Sequence, residues 1–113
     1  MKTYQRYSPK GKQLDRNGYA PSLLQEDLTY CFLCGRRDRK LDRHEIFTNA
    51  YRKKSKATGM WVMLCHDDCH EGPNGVHRNP ARAHELRQLG QMALMANGWT
   101  VEDVRRSFGR NYL

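Results

Sequence analysis

The sequence predicts a small α+β fold: a zinc-centred ββα unit with helices appended at its C-terminal end. Three observations predict it. Four cysteines fall in two close pairs, Cys31-x2-Cys34 and Cys65-x3-Cys69, spaced far enough apart to bracket a hairpin. Such paired hooks are a specific signal for structural zinc. Two short β-prone runs lie at Leu41–Phe47 and Trp61–Leu64, and a helical apolar period begins after Asn79-Pro80.

At 113 residues the chain makes at most one domain. A chain of this size buries about 65% of its unfolded surface, enough for one small core. Only 38% of the residues are hydrophobic, so a metal cross-link matters. A structural zinc can supply on the order of 10 kcal/mol of apparent folding free energy. The net charge is +8, and between Arg36 and Lys56 nine Lys or Arg face three acids. That concentration points to a polyanionic partner, nucleic acid ahead of an anionic membrane, against the blander reading of a solvated surface. The first residues, MKTYQRYSPKGK, lack an apolar h-region. No apolar run approaches the roughly 20 residues that span a bilayer. Together these features predict a cytoplasmic protein with no membrane partner, in which thiols stay reduced and metal ligation outranks disulfides or free thiols. Oligomeric state has no signature in the sequence.

Residues 1–28 are polar and broken by Pro9, Gly11, Gly18 and Pro21. They predict a basic, flexible N-terminal arm whose Lys2, Arg6, Lys10, Lys12 and Arg16 can follow phosphates, with a short helical turn around Ser22 to Asp27. The domain proper spans 29–113. Cys31-Phe-Leu-Cys34-Gly35 has the form of a zinc knuckle, in which backbone N–H groups face the sulfurs and the glycine takes a positive φ. Between the two strands, Arg52–Gly59 reads as a basic, loop-like linker. Beyond the second hook, Gly72-Pro-Asn-Gly75 is a loop. Asn79 caps a helix that has proline at its first position. Leu86, Leu89, Ala93 and Ala96 form its apolar stripe until Asn97-Gly98 stops it. Thr100-Val-Glu-Asp103 is a capping box that opens a last helix to about Phe108.

Histidines gather around the hooks. His44 lies on the first strand, ten residues past Cys34; His70 directly follows Cys69; His77 sits on the next loop. Hydrolysing a phosphodiester needs an activated water, a partner for the departing oxyanion and neutralisation of developing charge. A divalent metal with a neutral imidazole meets all three needs. An ordinary imidazole pKa of about 6.5 suits the base role. His44 is the candidate base, and His70 and His77 are candidate ligands of a divalent metal. The duller alternative for His44 is a strand histidine bonded to a backbone carbonyl, and for His70 a replacement zinc ligand or a turn cap; His77, in a Gly-rich loop, is the weaker candidate. His66 and His84 read as residues that back a ligand from behind, pack, or lie on the surface. Glu45 points to the face of the strand opposite His44 and reads as structural. Arg43 and Arg78 are candidate phosphate clamps, with Arg52, Lys53 and Lys54 as further nucleic-acid contacts.

The order of these motifs resembles the HNH, or His-Me finger, nucleases that embed a zinc. Their frame is Cys-x2-Cys, a histidine-bearing strand, then a hydrophobic strand running into Leu-Cys-x2-3-Cys-His. The chain supplies Cys31 and Cys34, DRHEIF at 42–47 and WVMLCHDDCH at 61–70. The likeness is closer to small phage- and prophage-encoded proteins of this type, through HEIF at 44–47, RKKS at 52–55, GMWVMLC at 59–65, GVHRN at 75–79 and FGRNYL at 108–113. It covers residues from about 30 to 113. The resemblance implies a treble-clef-like ββα-metal fold with structural Zn2+ on Cys31, Cys34, Cys65 and Cys69. It also implies His44 as general base and His70 as a ligand of a catalytic divalent metal, Mg2+, Mn2+, Ni2+ or Zn2+. DNA is the implied partner, endonucleolytic hydrolysis the implied activity, and a bacterial host or prophage the implied setting. The chain departs from the pattern at Arg43, where many of these enzymes carry a metal-binding Asp or His. It departs again at Met60 and Trp61, where an Asn is expected, and in its Cys-x3-Cys hook. Asp42 or His77 would then complete the metal site. The alternative to an enzyme is a non-catalytic, zinc-stabilised nucleic-acid-binding module; a redox or chaperone protein built on the cysteines is a third reading.

Overall fold

The computed structural model describes residues 14–113; Lys2, Arg6, Lys10 and Lys12 lie outside them. The elements run β1 (Leu41–Glu45), α1 (Arg52–Ala57), β2 (Trp61–Cys65), α2 (Pro80–Ala96) and α3 (Val101–Phe108), with a 3-10 turn at Asn49–Tyr51 and a wide helical turn at His66–His70. β1 and β2 pair antiparallel, with Leu41 opposite Cys65 and His44 opposite Val62. The result is a small α+β fold on a two-stranded sheet. Among the described residues, no helix is long and apolar enough to cross a membrane.

The connection between the strands is a helix, not the loop that its charge predicts. Arg, Lys and Ala are strong helix formers, and α1 is pinned from beneath by a hydroxyl. Ser55 is fully buried; it donates to the Met60 carbonyl at 2.6 Å and accepts the Phe47 N–H at 3.1 Å. Thr58, also buried, turns its hydroxyl back to the Lys54 carbonyl at 2.8 Å. A run of lysines conceals these two inward-facing groups.

Residues 14–28, expected to be part of a flexible arm, are laid along the body. The Ala20 N–H meets the Lys56 carbonyl and the Leu23 N–H meets the Gly59 carbonyl. The Trp61 indole N–H donates to the Ala20 carbonyl at 2.7 Å. Ser22 to Asp27 forms no helical turn, because its polar groups are used across the gap. Ser22 donates to the Trp61 carbonyl, and buried Gln25 bridges the Met63 N–H and the Tyr30 carbonyl.

Asn79 caps α2 as its sequence predicts, its side chain accepting the N–H groups of Ala81 and Arg82. The buried face is rotated from the expected stripe: Leu86, Gly90, Gln91 and Leu94 face inward, whereas Leu89 is 42% exposed. Gly90 is a contact point, since a Cβ there would stand 3.2 Å from Met60 Sδ and 3.3 Å from the Ile46 side chain. Gln91 is tolerated in the core because its amide donates to Asn111 and accepts the Tyr112 N–H. Counting apolar letters finds neither residue. α3 opens on the expected capping box of Thr100 and Asp103. Its last residue, Phe108, stacks on Phe47 with 4.0 Å between ring centroids, and Tyr112 closes on Phe47 at 5.2 Å. The C-terminal helices therefore build the wall against which the chain just beyond His44 is held.

Candidate functional site

The four cysteines converge. Their sulfurs all lie within 4.8 Å of one another, and those of Cys34 and Cys65 are 3.8 Å apart. Four sulfurs about 2.3 Å from one zinc stand about 3.8 Å apart on a tetrahedron, so the set fits a structural zinc. β2 delivers Cys65, and the knuckle is tied to that strand by the Phe32 N–H on the Met63 carbonyl at 2.8 Å. Within the knuckle the Cys34 N–H points at the Cys31 sulfur, and Gly35 has φ 78°, both as expected.

The second hook carries one more residue, and a wider turn absorbs it. The Glu71 N–H reaches back five residues to the His66 carbonyl at 2.9 Å. The Cys69 N–H points at the Cys65 sulfur at 3.3 Å, the bond that Cys34 makes to Cys31 in the shorter hook. Turns of this width are frequent at functional sites. Electrostatics also favour a cation here. Burial opposes ionisation of Cys31, but the N–H groups of Cys34, Cys65 and Leu33 outweigh it and draw the thiol down to about 7. Burial, followed by the neighbouring sulfurs, pushes the Cys69 thiol up. Sulfurs packed this closely cannot all be thiolates unless a positive ion sits among them.

Beside this cluster the histidines meet. His44 is 6% exposed on β1, His70 ends the wide turn, and His77 follows on the loop held by the Val76 N–H on the Cys69 carbonyl. A Cβ at Gly75 would fall 2.7 Å from the His70 carbonyl oxygen, so only glycine lets that loop close on the turn. The ring centroids are 5.3 Å apart for His44 and His70, 5.1 Å for His44 and His77, and 4.7 Å for His70 and His77. The Nε2 atoms of His70 and His77 are 3.0 Å apart. Two imidazole nitrogens each about 2.1 Å from one ion, at right angles, have about that separation. The donor type and spacing thus meet the geometric requirement of a shared divalent cation. Burial, then the positive charge of His70, His77 and Arg87, pulls the His44 pKa from 6.5 to about 3. The ring is therefore neutral throughout the neutral range.

Asp42 shares the His44 face of β1 by strand alternation. Its Oδ2 lies 2.9 Å from His70 Nδ1 and 2.5 Å from His66 Nδ1. His66 thus backs a candidate ligand through Asp42, one of the roles expected of it; among the described residues, His84 on α2 joins no group of close potential ligands. Glu45 is structural as expected: it accepts the Tyr19 hydroxyl at 2.7 Å and pairs with Arg52 at 2.9 Å.

The imidazoles line an open cleft of about 580 Å³, whose walls include Thr48, Asn49, Arg52 and Arg87. The expected basic contacts divide. Arg52 is exposed in the wall but paired with Glu45 through Nε at 3.0 Å and a terminal nitrogen at 2.9 Å, and Lys53 and Arg78 are exposed. Lys54 instead donates to the Ser107 carbonyl at 3.4 Å, at the end of α3. Arg43 stands at the cleft margin, but its guanidinium is taken up by Asp15 at 3.1 Å and by the Tyr19 and Trp61 rings at 4.4 and 4.7 Å. It anchors the docked arm, a use that sequence could not reveal because its partners are 18 to 28 residues away. Arg87 was not singled out by sequence. It reaches the Ile46 carbonyl and the Thr48 hydroxyl, each at 3.4 Å, and its only sequence signal is an arginine next to a core leucine. No protein-family model matches the chain, and no curated protein or solved structure matches it either.

Proposed function

We propose that the chain is a metal-dependent DNA endonuclease of the HNH type, with structural zinc on the four cysteines and a catalytic divalent metal on His70 and His77. One observation carries this reading: three imidazoles converge in a cleft walled by arginines, next to a four-sulfur cluster. The motifs that resemble those nucleases run through the same residues, HEIF through His44, LCHDDCH through His70 and GVHRN through His77.

A bound divalent cation would supply polarisation of a phosphoryl oxygen and neutralise charge on the leaving oxyanion. The remaining work falls to side chains. His44 removes the proton from the attacking water, and its burial keeps it unprotonated until substrate arrives. A phosphodiester entering the cleft brings negative charge beside His44 and so raises its proton affinity as the proton is transferred. Arg87 binds non-bridging oxygens, with donors to spare beyond its two long contacts, while Arg52, paired with Glu45, adds only its positive charge to the wall. Exposed Lys53 and Arg78, with the net charge of +8, extend the attraction along a nucleic-acid backbone.

The test is plasmid cleavage in Mg2+, Mn2+, Ni2+ or Zn2+, with an EDTA control and His44→Ala. The wild type should nick or linearise DNA, and both the chelator and the substitution should abolish cutting while the zinc content stays. Failure to cut in every metal, with tight and salt-sensitive DNA binding, would replace the enzyme by a non-catalytic binding module.

A further inference from the structure

We infer that Asp42 is the positioning residue of the metal-binding histidine: it holds the proton of His70 on Nδ1 and thereby leaves Nε2 bare and aimed at His77. The inference rests on the proposed role of His70 and His77 as ligands. Its own basis is the chain of contacts around one ring. His70 has two nitrogens, and each already has a neighbour. Nδ1 is 2.9 Å from the Asp42 carboxylate, and Nε2 is 3.0 Å from His77 Nε2. A carboxylate only accepts, so the Asp42 contact puts the His70 proton on Nδ1. His70 Nε2 is then an acceptor, and in the metal-free state His77 Nε2–H donates to it.

The carboxylate is itself braced. The same Asp42 oxygen takes a second hydrogen bond from His66 Nδ1, and His66 is fixed at the mouth of the zinc hook by its N–H on the Lys40 carbonyl at 2.9 Å. Asp42 sits opposite Leu64 in the strand pair, and its side chain is 22% exposed. Glu71, the other carboxylate near His70, is 3.6 Å from Nδ1 and 47% exposed, too far and too solvated to do the same work. A carboxylate bonded to the free N–H of a ligating imidazole fixes the ring and raises its basicity, and its loss typically costs 10- to 100-fold in metal affinity.

The test uses the zinc-loaded protein with 15N-labelled histidine, before any second metal is added, at about pH 8 where imidazoles are neutral. Long-range nitrogen–proton correlations should show the His70 proton on Nδ1 and the His77 proton on Nε2. Asp42→Ala should release His70 into a mixture of tautomers and weaken Mn2+ or Ni2+ binding by about 10- to 100-fold in calorimetry. Zinc content should stay the same in that variant. Asp42→Asn, whose amide oxygen still accepts a hydrogen bond, should keep the tautomer and lose less affinity; it also serves if the alanine variant fails to fold. A His70 proton on Nε2 in the wild type would overturn the inference, as would an unchanged tautomer in Asp42→Ala. So would a second bound Mn2+ or Ni2+ that the substitution removes, since Asp42 would then be a ligand. The nuclease reading can fail separately: a wild type that never cuts DNA, yet shows these tautomer and affinity changes, leaves the role of Asp42 intact.

Discussion

The sulfurs of Cys34 and Cys65 stand 3.8 Å apart although 31 residues separate them in the chain. This closure joins the knuckle to the end of β2 and sets the direction in which the wide turn delivers His70. The purified protein should therefore contain about one tightly held zinc per chain, because one four-cysteine set is present. Removing the zinc with a strong chelator, or replacing Cys34 by Ser, should unfold the domain, on the order of 10 kcal/mol of apparent folding free energy being withdrawn. Circular dichroism and elemental analysis check this. A metal-free protein with an unchanged melting curve would rule out the zinc.

Phe108 is fully buried and stacks on Phe47, three residues beyond His44. Phe108→Ala should cost about 3–5 kcal/mol, the usual range for deleting a buried aromatic. Urea unfolding measures the loss. A cost under about 1 kcal/mol would mean that α3 is peripheral rather than part of the core.

The His44 pKa of about 3 has a stability consequence with a definite sign. The unfolded chain binds a proton on this residue below about pH 6.5, whereas the folded chain refuses it until about pH 3. Stability from His44 is thus complete above the upper value and declines as the pH drops towards the lower one. Within that window each pH unit is worth about 1.4 kcal/mol for one fully shifted group. Between about pH 5.5 and 4.5 the wild type should lose roughly that much more than His44→Gln, which shares every other acid-labile group. Parallel losses in the two proteins would show that His44 does not titrate this way.

Arg87 gives a binding prediction that needs no catalysis. Arg87→Gln should weaken DNA binding and reduce the salt slope of log K by about one unit, the signature of one lost phosphate contact. Arg43→Gln should leave that slope nearly unchanged and instead loosen residues 15–20, because its guanidinium is occupied by Asp15, Tyr19 and Trp61. Fluorescence anisotropy across a salt series, with limited proteolysis of the arm, separates the two. Equal slopes for both variants would contradict this division of labour.

Local chemistry alone determined the two cysteine hooks, the two strands, the Asn79 and Thr100 caps and the candidate imidazoles, because each depends on residues within a few positions of one another. Tertiary structure decided the rest. Arg52–Ala57 became a helix through hydroxyls of Ser55 and Thr58 that face inward. The buried face of α2 rotated onto Gly90 and Gln91 because their partners lie near Met60 and in the C-terminal tail. The docking of residues 14–28, the diversion of Arg43 and Lys54, and the Asp42–His70 contact likewise depend on partners distant in sequence. Spacing states which side chains are available; only packing and burial decide which of them meet, and with which nitrogen or oxygen foremost.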